Sequence, residues 1–433
     1  APAQHELAPV FDTTNVAVDH NQLTMEIMKK VADKHDLVCL LHEKPFEGIN
    51  GSGKHNNWSM ITDDGVNLLD PGKTPSENIQ FLVFLMAVIK AVDEYADLLR
   101  ISVASAGNDH RLGANEAPPA VVSIFLGDEL TEVLKSIEND TYFTSHGAVQ
   151  MDIGATVLPH FVKDNTDRNR TSPFAFTGNK FEFRMLGSAA SVANPNIVLN
   201  TAVAEALDQF AKELDGVAPE DMEHAVHELI KRAIKKHKRV IFNGNGYTDE
   251  WIEEAKKRGL YNLKSTPDAL PMWIAQKNID LFTKHSIFTS EELHSRYEIW
   301  LENYSKTINI ESNTMVEMVQ KDLLPSVMSY IEEIASTASL KASVVPGITC
   351  ESETALITKL SELQDAMTKG LEKLKSDTAK ARATEDVLEN AKLYQAEVLE
   401  DMEELRKSAD EAETLIPDDL LPYPTYGKLL FYI

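Results

Sequence analysis

The stretch "NKFEFRML", residues 179–186, determines how the first half of this chain is interpreted. From residue 180 to residue 185 charged and apolar residues alternate strictly, and the charged ones are Lys180, Glu182 and Arg184. Because successive side chains of a β-strand point to opposite faces, this alternation predicts a strand with Glu182 and Arg184 on one polar face. A carboxylate beside a guanidinium suits a divalent cation next to an anionic ligand, but it equally suits an exposed ion pair.

A glycine-rich loop lies upstream of this strand, in "FEGINGSGKHNNWSM", residues 46–60. From Gly48 it has the G-x-x-x-x-G-K spacing of a P-loop, in which the next residue is a Ser or Thr that binds Mg²⁺. Here the next residue is His55. The flanking segments "EKPFEGI" and "HNNWSMITDDG" favour neither the strand before nor the helix after such a loop, so a P-loop ATPase or kinase is a poor alternative. His55 is then either an ordinary solvent-facing residue or a metal ligand.

Composition limits the class of protein. The chain has 433 residues, 43% hydrophobic and 25% charged, which is typical of a globular protein of two or three domains. It has no apolar run of the roughly 18 residues that a membrane span requires. Only two cysteines occur, Cys39 and Cys350, so we expect a reducing cytoplasm and no disulfide framework.

Charge argues against binding to nucleic acid, because the formal net charge is -26 and phosphate neutralisation needs a basic surface. One basic run, "KRAIKKHKR" at residues 231–239, interrupts the acidic background. We interpret it as the solvated face of a helix, and a phosphate-binding patch is the alternative.

The pattern of predicted secondary structure changes near residue 213. Before it, helical patterns such as residues 23–34 alternate with strand-like runs at residues 38–41, 147–161 and 179–186. After it, helical patterns dominate, and one apolar stripe recurs at spacings of three and four, formed by Leu356, Leu360, Leu363, Met367, Leu371 and Leu374. Such a stripe indicates helix-on-helix packing. The sequence therefore predicts an α+β chain with one domain at residues 1–212 and a helical region at residues 213–433.

Four short motifs occur in order in the first 184 residues: "PAQHE" at 2–6, "NGSGKH" at 50–55, "RLGANEAP" at 111–118 and "EFR" at 182–184. Together they resemble the metal, loop, flap and strand motifs of glutamine synthetase. Three further stretches resemble the large type III form of that family: "RNRTSPFAFTGNKFEFR" at 168–184, "NGNGY" at 243–247 and "PYPTYG" at 422–427.

The resemblance implies a fold and an activity. The fold would be the antiparallel-sheet part of a glutamine synthetase catalytic domain with flanking helices, followed by a mostly helical C-terminal region. The activity would be ligation of ammonia to the γ-carboxylate of glutamate, driven by ATP through γ-glutamyl phosphate. The implied cofactor is Mg²⁺ or Mn²⁺, and the implied assembly is a homo-oligomer of stacked rings, a dodecamer, with no nucleic-acid or membrane partner.

The resemblance also implies residue roles. The metal ligands would be Glu6, His55 and Glu182. Residues that bind glutamate would be Asn50, Gly51, Arg111 and Arg184. Arg170 would stabilise the transferring phosphoryl group, and Glu116 would close over the site and take a proton from ammonium. Asn57 and Ser59 would line the nucleotide pocket.

Some positions depart from the family pattern. Asn57 stands where type I enzymes have histidine, and the flap spacing is one residue shorter. A second arginine of the type I form falls on Ala175, for which Arg168 is a possible substitute. Lys54 is expected to be incidental to the site.

By this resemblance the chain begins inside the family's E-V-x-P-A-Q run, after an upstream E-x-E strand that carries other metal carboxylates. We therefore expect a chain that corresponds to the carboxy-terminal three-fifths of the enzyme and is inactive alone. Another hypothesis is a non-catalytic homologue whose helical half serves as an assembly module.

Overall fold

The computed structural model describes residues 4–141, 150–151, 161–162, 171–425 and 427–428. Packing divides the chain into two compact units, Ala3–Tyr297 and Glu298–Ile433. The sequence-based boundary after residue 212 falls within a helix, Ala193–Leu214, and as a domain boundary it stays a prediction.

Among the described residues, the main sheet of the first unit has four strands. The strands that the structure describes are β1 (Gly53–Trp58), β2 (Ile124–Phe125), β3 (Gln150–Met151), β4 (Phe161–Val162), β5 (Phe174–Phe176) and β6 (Phe181–Gly187). The order in the main sheet is β1-β6-β5-β2, and β3 pairs with β4 separately. The predicted α+β class is confirmed, although the sheet is mixed: β2 and β5 run parallel, whereas the other pairs are antiparallel.

Helices surround this sheet. Those of the first unit are α1 (Thr14–Lys34), α2 (Ile79–Glu94), α3 (Ala96–Ile101), α4 (Ala106–Arg111), α5 (Asp128–Glu138), α6 (Ala193–Leu214), α7 (Met222–His237), α8 (Asp249–Lys257), α9 (Thr266–Ala269) and α10 (Gln276–Lys284), and α11 (Ser290–Met318) contains the boundary between the units. Helix α2 is the core helix because apolar residues surround it on all sides, and it packs against α6 and α7. The Asn78 side chain starts it by accepting a hydrogen bond from the Phe81 amide at 3.1 Å.

Phenylalanines join the sheet to the helices. The rings of Phe174 and Phe181 stack with centroids 4.7 Å apart, and Phe176 meets Phe81 of α2 at 5.9 Å. On the same face of the sheet, the Trp58 indole donates to Asn200 of α6 at 2.8 Å. The apolar face predicted for β6 is therefore confirmed, and it leaves the opposite face of β6 for Glu182 and Arg184.

Two other predictions are settled by the local structure. The basic run at 231–239 forms the end of α7 and the turn after it, where its charges pair with acids such as Asp140 and Glu138, as a solvated helix face should. The run at 38–41 is not a strand, and Val38 is 83% exposed. An apolar run needs a neighbouring strand to become one, and no described strand pairs with this segment. Most of the run at 147–161 lies outside the described residues.

The second unit is built from long helices. After α11 come α12 (Leu324–Val344), α13 (Glu351–Arg382), α14 (Val387–Leu393) and α15 (Leu399–Glu413). Helix α13 packs against α12 and α15, and the predicted stripe is confirmed because Leu360, Leu363, Met367, Leu371 and Leu374 are buried there. In the part of the chain that the structure describes, none of the helices is both long and apolar enough to cross a membrane.

Candidate functional site

An irregularity in the pairing of β1 with β6 lies at the centre of the site. Lys54 pairs with Leu186 and Asn56 pairs with Phe183, so two residues of β6, Arg184 and Met185, stand opposite the single residue His55. This is a β-bulge, and such bulges redirect side chains and leave backbone groups outside the ladder. The strict alternation of residues 180–185 does not reveal the bulge, and only the adjacent apolar pair Met185 and Leu186 departs from the period of two.

Three side chains meet on the polar face beside this bulge. His55 Nδ1 lies 2.8 Å from Glu182 Oε1, and Arg184 donates from Nε to Glu182 Oε2 at 2.9 Å. Glu182 and Arg184 are buried, at 8% and 4% exposed, so the interpretation as an exposed ion pair is wrong. Asn57 pairs directly with Glu182 across the strands and shares this face.

The Glu182 carboxylate is ionised at any pH that the protein would meet. Burial works to raise its pKa, but hydrogen bonds from His55 and Arg184, together with the charge of Arg184, outweigh burial and lower the pKa to about 2. The group thus presents a permanent negative charge beside an imidazole nitrogen, which is a donor pair that Mg²⁺ and Mn²⁺ both accept.

Arg111 supports the bulge from behind. Its Nη1 donates to the Met185 carbonyl at 3.3 Å and its Nη2 donates to the Arg184 carbonyl at 3.2 Å. Asn108 donates to the Met185 carbonyl as well, at 2.8 Å. Burial lowers the pKa of Arg111 to about 10, against the opposing influence of Glu43, so it remains charged at neutral pH. Its predicted contact with glutamate stays a prediction.

The glycines of the loop make room for this arginine. A Cβ on Gly53 would overlap the Arg111 guanidinium, and a Cβ on Gly51 would lie 2.6 Å from the Glu43 carbonyl and 3.0 Å from Arg111 Cγ. The loop then enters β1 and not a helix, which excludes the P-loop alternative. The glycines therefore bring the loop backbone close to a buried cation of the protein itself.

The predicted flap contacts the loop. The Asn50 amide donates to Glu116 Oε2 at 2.8 Å, although the two residues lie 66 positions apart in the sequence. Asn115 and Glu116 have φ of 52° and 67°, which is left-handed backbone that costs about 1 kcal/mol or more per residue. The structure thus brings Asn50 and Glu116 together and holds Glu116 in a strained conformation.

Tyr247 also reaches this flap, and sequence reasoning assigned it no role. The backbone N–H of Glu116 donates to its hydroxyl, and burial together with the charge of Glu116 raises the pKa of Tyr247. The preceding Gly246 donates to the Thr171 hydroxyl at 2.8 Å. The motif "NGNGY", which contributed to the family resemblance, could have drawn attention to Tyr247. Its glycines and asparagines alone, however, predict only a turn.

Glu43 and Lys54 were missed for another reason. Glu43 is only 5% exposed, and its carboxylate accepts from the Ala189 amide at 2.9 Å. Lys54 donates to the carbonyls of Ser188 and Ala190 at 2.6 and 2.5 Å, a structural contact that was not expected, while its predicted lack of a role in the site stays a prediction. Burial lowers its pKa to about 8, opposed by the charge of Glu43. No local pattern reveals either contact, since their partners lie more than 130 residues away.

Other predicted residues either lie apart from this group or fall outside the described part of the chain. Glu6 is exposed ahead of α1, and Arg170 and Arg168 lie outside the described residues. The Ser59 hydroxyl contacts Asn67 Oδ1 at 2.8 Å and the Asn179 carbonyl at 3.0 Å, beyond the end of β1. Their roles stay predictions.

The donor set beside the bulge suits a divalent cation chemically. His55 and Glu182 offer nitrogen and oxygen donors side by side, which fits Mg²⁺ or Mn²⁺ chemically. Within the described ranges no three His, Cys, Asp or Glu side chains form a group that could hold a metal ion. A cation bound by these two side chains would therefore need further oxygen ligands.

Comparison with known proteins shows which family models and which relatives match this chain. A family model described as "Glutamine synthetase, catalytic domain" matches residues 1–122, and one described as "Glutamine synthetase C-terminal domain" matches residues 225–341. A glutamine synthetase of Butyrivibrio fibrisolvens is 58% identical over all of this chain and 61% of the relative's length. Both matched regions belong to the glutamine synthetase family.

Two further members of the glutamine synthetase family are similar along the whole chain. The type-3 glutamine synthetase of Dictyostelium discoideum is 46% identical, and the glutamine synthetase of Bacteroides fragilis is 39% identical. The chain covers 59% and 60% of their lengths. It therefore spans about three-fifths of the length of the curated glutamine synthetases that it matches.

Proposed function

We propose that the protein acts as a glutamate–ammonia ligase that uses ATP. The observation that carries this proposal is the group His55, Glu182 and Arg184, in which one carboxylate lies 2.8 Å from an imidazole and 2.9 Å from a guanidinium. The arrangement offers a cation site directly beside an anion site, as a reaction between two anionic substrates requires.

The reaction has two steps. An oxygen of the glutamate γ-carboxylate attacks the γ-phosphorus of ATP, and the bond to the bridging oxygen breaks, which yields γ-glutamyl phosphate and ADP. Ammonia then attacks the γ-carbonyl carbon, phosphate leaves with the bonding electrons, and the nitrogen passes one proton to the departing phosphate, which yields the neutral amide of glutamine. A bound divalent cation supplies charge neutralisation at the ATP phosphates.

The proposed role of each residue in this chain follows from its charge and its donor atoms. Glu182 and His55 hold the cation, and Arg184 orients an anionic group of the substrate from a position that Glu182 fixes. We assign Arg111 and Asn50 with Gly51 to the glutamate pocket, Arg170 to the transferring phosphoryl group, Asn57 and Ser59 to the nucleotide, and Glu6 to a second cation.

Glu116 is the proposed proton acceptor. Ammonium must lose a proton before it attacks, and a carboxylate on a closing flap can take it while excluding water from the acyl phosphate. The Asn50 amide, which donates to Glu116 Oε2, keeps this carboxylate at the loop.

The finer parts of the proposal concern metal, assembly and location. Mg²⁺ or Mn²⁺ fits the mixed nitrogen and oxygen donors. A ring-forming homo-oligomer, a dodecamer by analogy with the family, is supported by α1, which buries no residue and exposes Leu23, Ile27 and Val31. Both cysteines are free thiols, which supports a cytoplasmic location.

The proposal is tested with Glu182→Gln in the full-length protein. We expect γ-glutamyl hydroxamate formation from glutamate, hydroxylamine and ATP in the parent, and a loss of about 100-fold or more in kcat/KM in the variant, because the charge that binds the cation is removed. Glu129→Gln is the matched control, since Glu129 is exposed. A full-length parent that forms no hydroxamate, or a Glu182→Gln variant with unchanged turnover, would contradict the proposal.

A further inference from the structure

The turn that follows β6, residues 187–190, is held by two side chains of opposite charge. The Lys54 ammonium donates to the Ser188 carbonyl at 2.6 Å and to the Ala190 carbonyl at 2.5 Å. Between these, the Ala189 amide donates to Glu43 Oε1 at 2.9 Å. Three consecutive residues of the turn thus give a backbone group to this pair, and hydrogen bonds to charged groups are among the strongest in proteins.

Glu43 occupies a site that is shaped for a carboxylate. The residue is only 5% exposed, and a Cβ on Gly187 would overlap its carboxylate, while one on Gly107 would lie 2.5 Å from Oε2. Its own carbonyl accepts from the Ser52 amide at 2.7 Å. Glu43 therefore contacts the glycine loop through its backbone and the turn after β6 through its side chain.

Lys54 joins the same two segments from within β1. It directly precedes His55 and pairs with Leu186, the residue next to the bulge. Because side chains alternate along a strand, Lys54 points away from the face that carries His55. It can thus fix the pairing of the two strands without entering the site.

We propose that Glu43 and Lys54 are positioning residues of the cation site: they fix the turn at residues 187–190, and through it the register of β6, so that Glu182 stays beside His55. This inference rests on the proposed function, since it assumes that His55 and Glu182 hold a divalent cation. A bulged strand pair has no regular ladder to define its register, and a shift of one residue would carry Glu182 to the other face.

The first test uses Lys54→Met in the full-length protein, with Mn²⁺ alone as the probe. Methionine keeps the length of the side chain and its packing beside Met25, but it has no donor for the two carbonyls. Loss of support behind metal ligands typically weakens metal affinity 10- to 100-fold, so we expect a rise of about 10-fold or more in the Kd for Mn²⁺ measured by electron paramagnetic resonance.

Lys277→Met is the matched control. Lys277 donates to the Glu94 carbonyl at 2.9 Å and to Asp97 at 2.7 Å, so its loss also removes a backbone contact and an ion pair, but away from the site. We expect lower thermal stability with unchanged Mn²⁺ affinity. Equal effects of the two variants on the Kd would show that Lys54 acts only through general stability, and this would overturn the proposal.

His55→Ala separates failure of this inference from failure of the proposed function. If the parent binds Mn²⁺ through His55, Lys54→Met should add little to the loss in the His55→Ala background, because the pair of ligands whose alignment Lys54 maintains is already broken. A parent whose Mn²⁺ affinity depends on His55 but not on Lys54 would refute the positioning role and leave the site intact. A parent whose affinity does not depend on His55 would refute both.

A metal-free measurement tests the Glu43 side of the pair. Glu43→Gln retains a neutral acceptor for the Ala189 amide, whereas Glu43→Ala removes it. We expect hydrogen exchange at Ala189 to be about 10-fold faster in Glu43→Ala than in the parent, with Glu43→Gln in between, since the amide loses its acceptor. If Glu43→Ala does not fold, the comparison of Glu43→Gln with the parent takes its place. An unchanged exchange rate at Ala189 in Glu43→Gln would overturn the role proposed for the carboxylate charge.

Discussion

Arg111 shows how a single residue can carry two assignments. The family motif assigns it to the glutamate carboxylate, yet its guanidinium donates to the carbonyls of Arg184 and Met185 and lies against Gly53. The bulge explains this, because two β6 residues opposite one β1 residue leave carbonyls without ladder partners. The Arg111 guanidinium therefore has an observed structural role, hydrogen bonding to the carbonyls of the bulge, and a separate predicted role, binding the glutamate carboxylate.

Arg111→Lys should separate these two roles. A lysine cannot reach both carbonyls with a planar fork, so we expect the free energy of unfolding to fall by about 2 kcal/mol, as expected when buried acceptors lose their donors. Urea denaturation measures it. Arg232→Lys is the control, because Arg232 is exposed and its ion pair with Glu213 contributes little. A variant with unchanged stability and a raised KM for glutamate alone would mean that the backbone contacts are dispensable.

At the scale of the elements, the pairing of α13 with α15 contains an unusual buried carboxyl group. Asp401 of α15 is 1% exposed, and no donor among the described residues reaches its Oδ2, although Lys373 of α13 contacts Oδ1. Burial raises the pKa of Asp401, and the neighbouring Asp377 adds to the rise while Lys373 opposes it. Two facing carboxyl groups can hydrogen-bond only when one is protonated.

The pH dependence follows from the sign of this shift. Because the folded-state pKa of Asp401 is above its unfolded value, its stabilising contribution is complete below the unfolded pKa and is lost as pH rises through the folded one. Asp401→Asn carries an amide that can donate to Asp377 at every pH. We expect it to raise the free energy of unfolding by about 1 kcal/mol at pH 7 and to add nothing near pH 3.

Chemical denaturation at several pH values measures this effect. Asp365→Asn is the matched control on α13, because Asp365 is exposed and its pH profile should follow the parent. An Asp401→Asn variant that is less stable than the parent at pH 7 would show that the ion pair with Lys373 outweighs the cost of burial.

Periodicity determined which elements could be predicted. The strand around Glu182 and the stripe on α13 were predicted because, in each, the spacing of apolar residues within a short segment indicates which face is buried. The bulge, the cradle of Glu43 and the contacts of Lys54 were not, because each depends on glycines or carbonyls that are distant in sequence. The apolar run at 38–41 gave a false strand for the same reason: its pattern is local, but strand formation is not.

At the scale of the whole molecule, the second unit has its own core. Met367 and Leu374 of α13 are fully buried, as is Val398, and Leu405 of α15 is 1% exposed. A helical hairpin with a continuous apolar seam needs little else to fold.

We therefore expect residues 290–433 to fold as a separate polypeptide. Circular dichroism should show high helicity with one cooperative thermal transition. Met367→Asp should abolish that transition because it buries a charge in the seam, whereas Lys369→Asp, at a solvent-facing position of the same helix, should leave it nearly unchanged. A polypeptide that is helical but melts without cooperativity would show that the seam alone does not define a unique fold.

The extra residue in β6 has a consequence for insertions and deletions. Deleting Met185 would restore one-to-one pairing between the strands and give a more regular sheet. It would also remove a carbonyl that Asn108 and Arg111 hold, and it would change which side chains stand opposite His55. A redesign that makes this sheet regular would thus improve the strand geometry but disrupt the arrangement of side chains around His55. At this position the protein should tolerate many replacements of Met185 better than its removal.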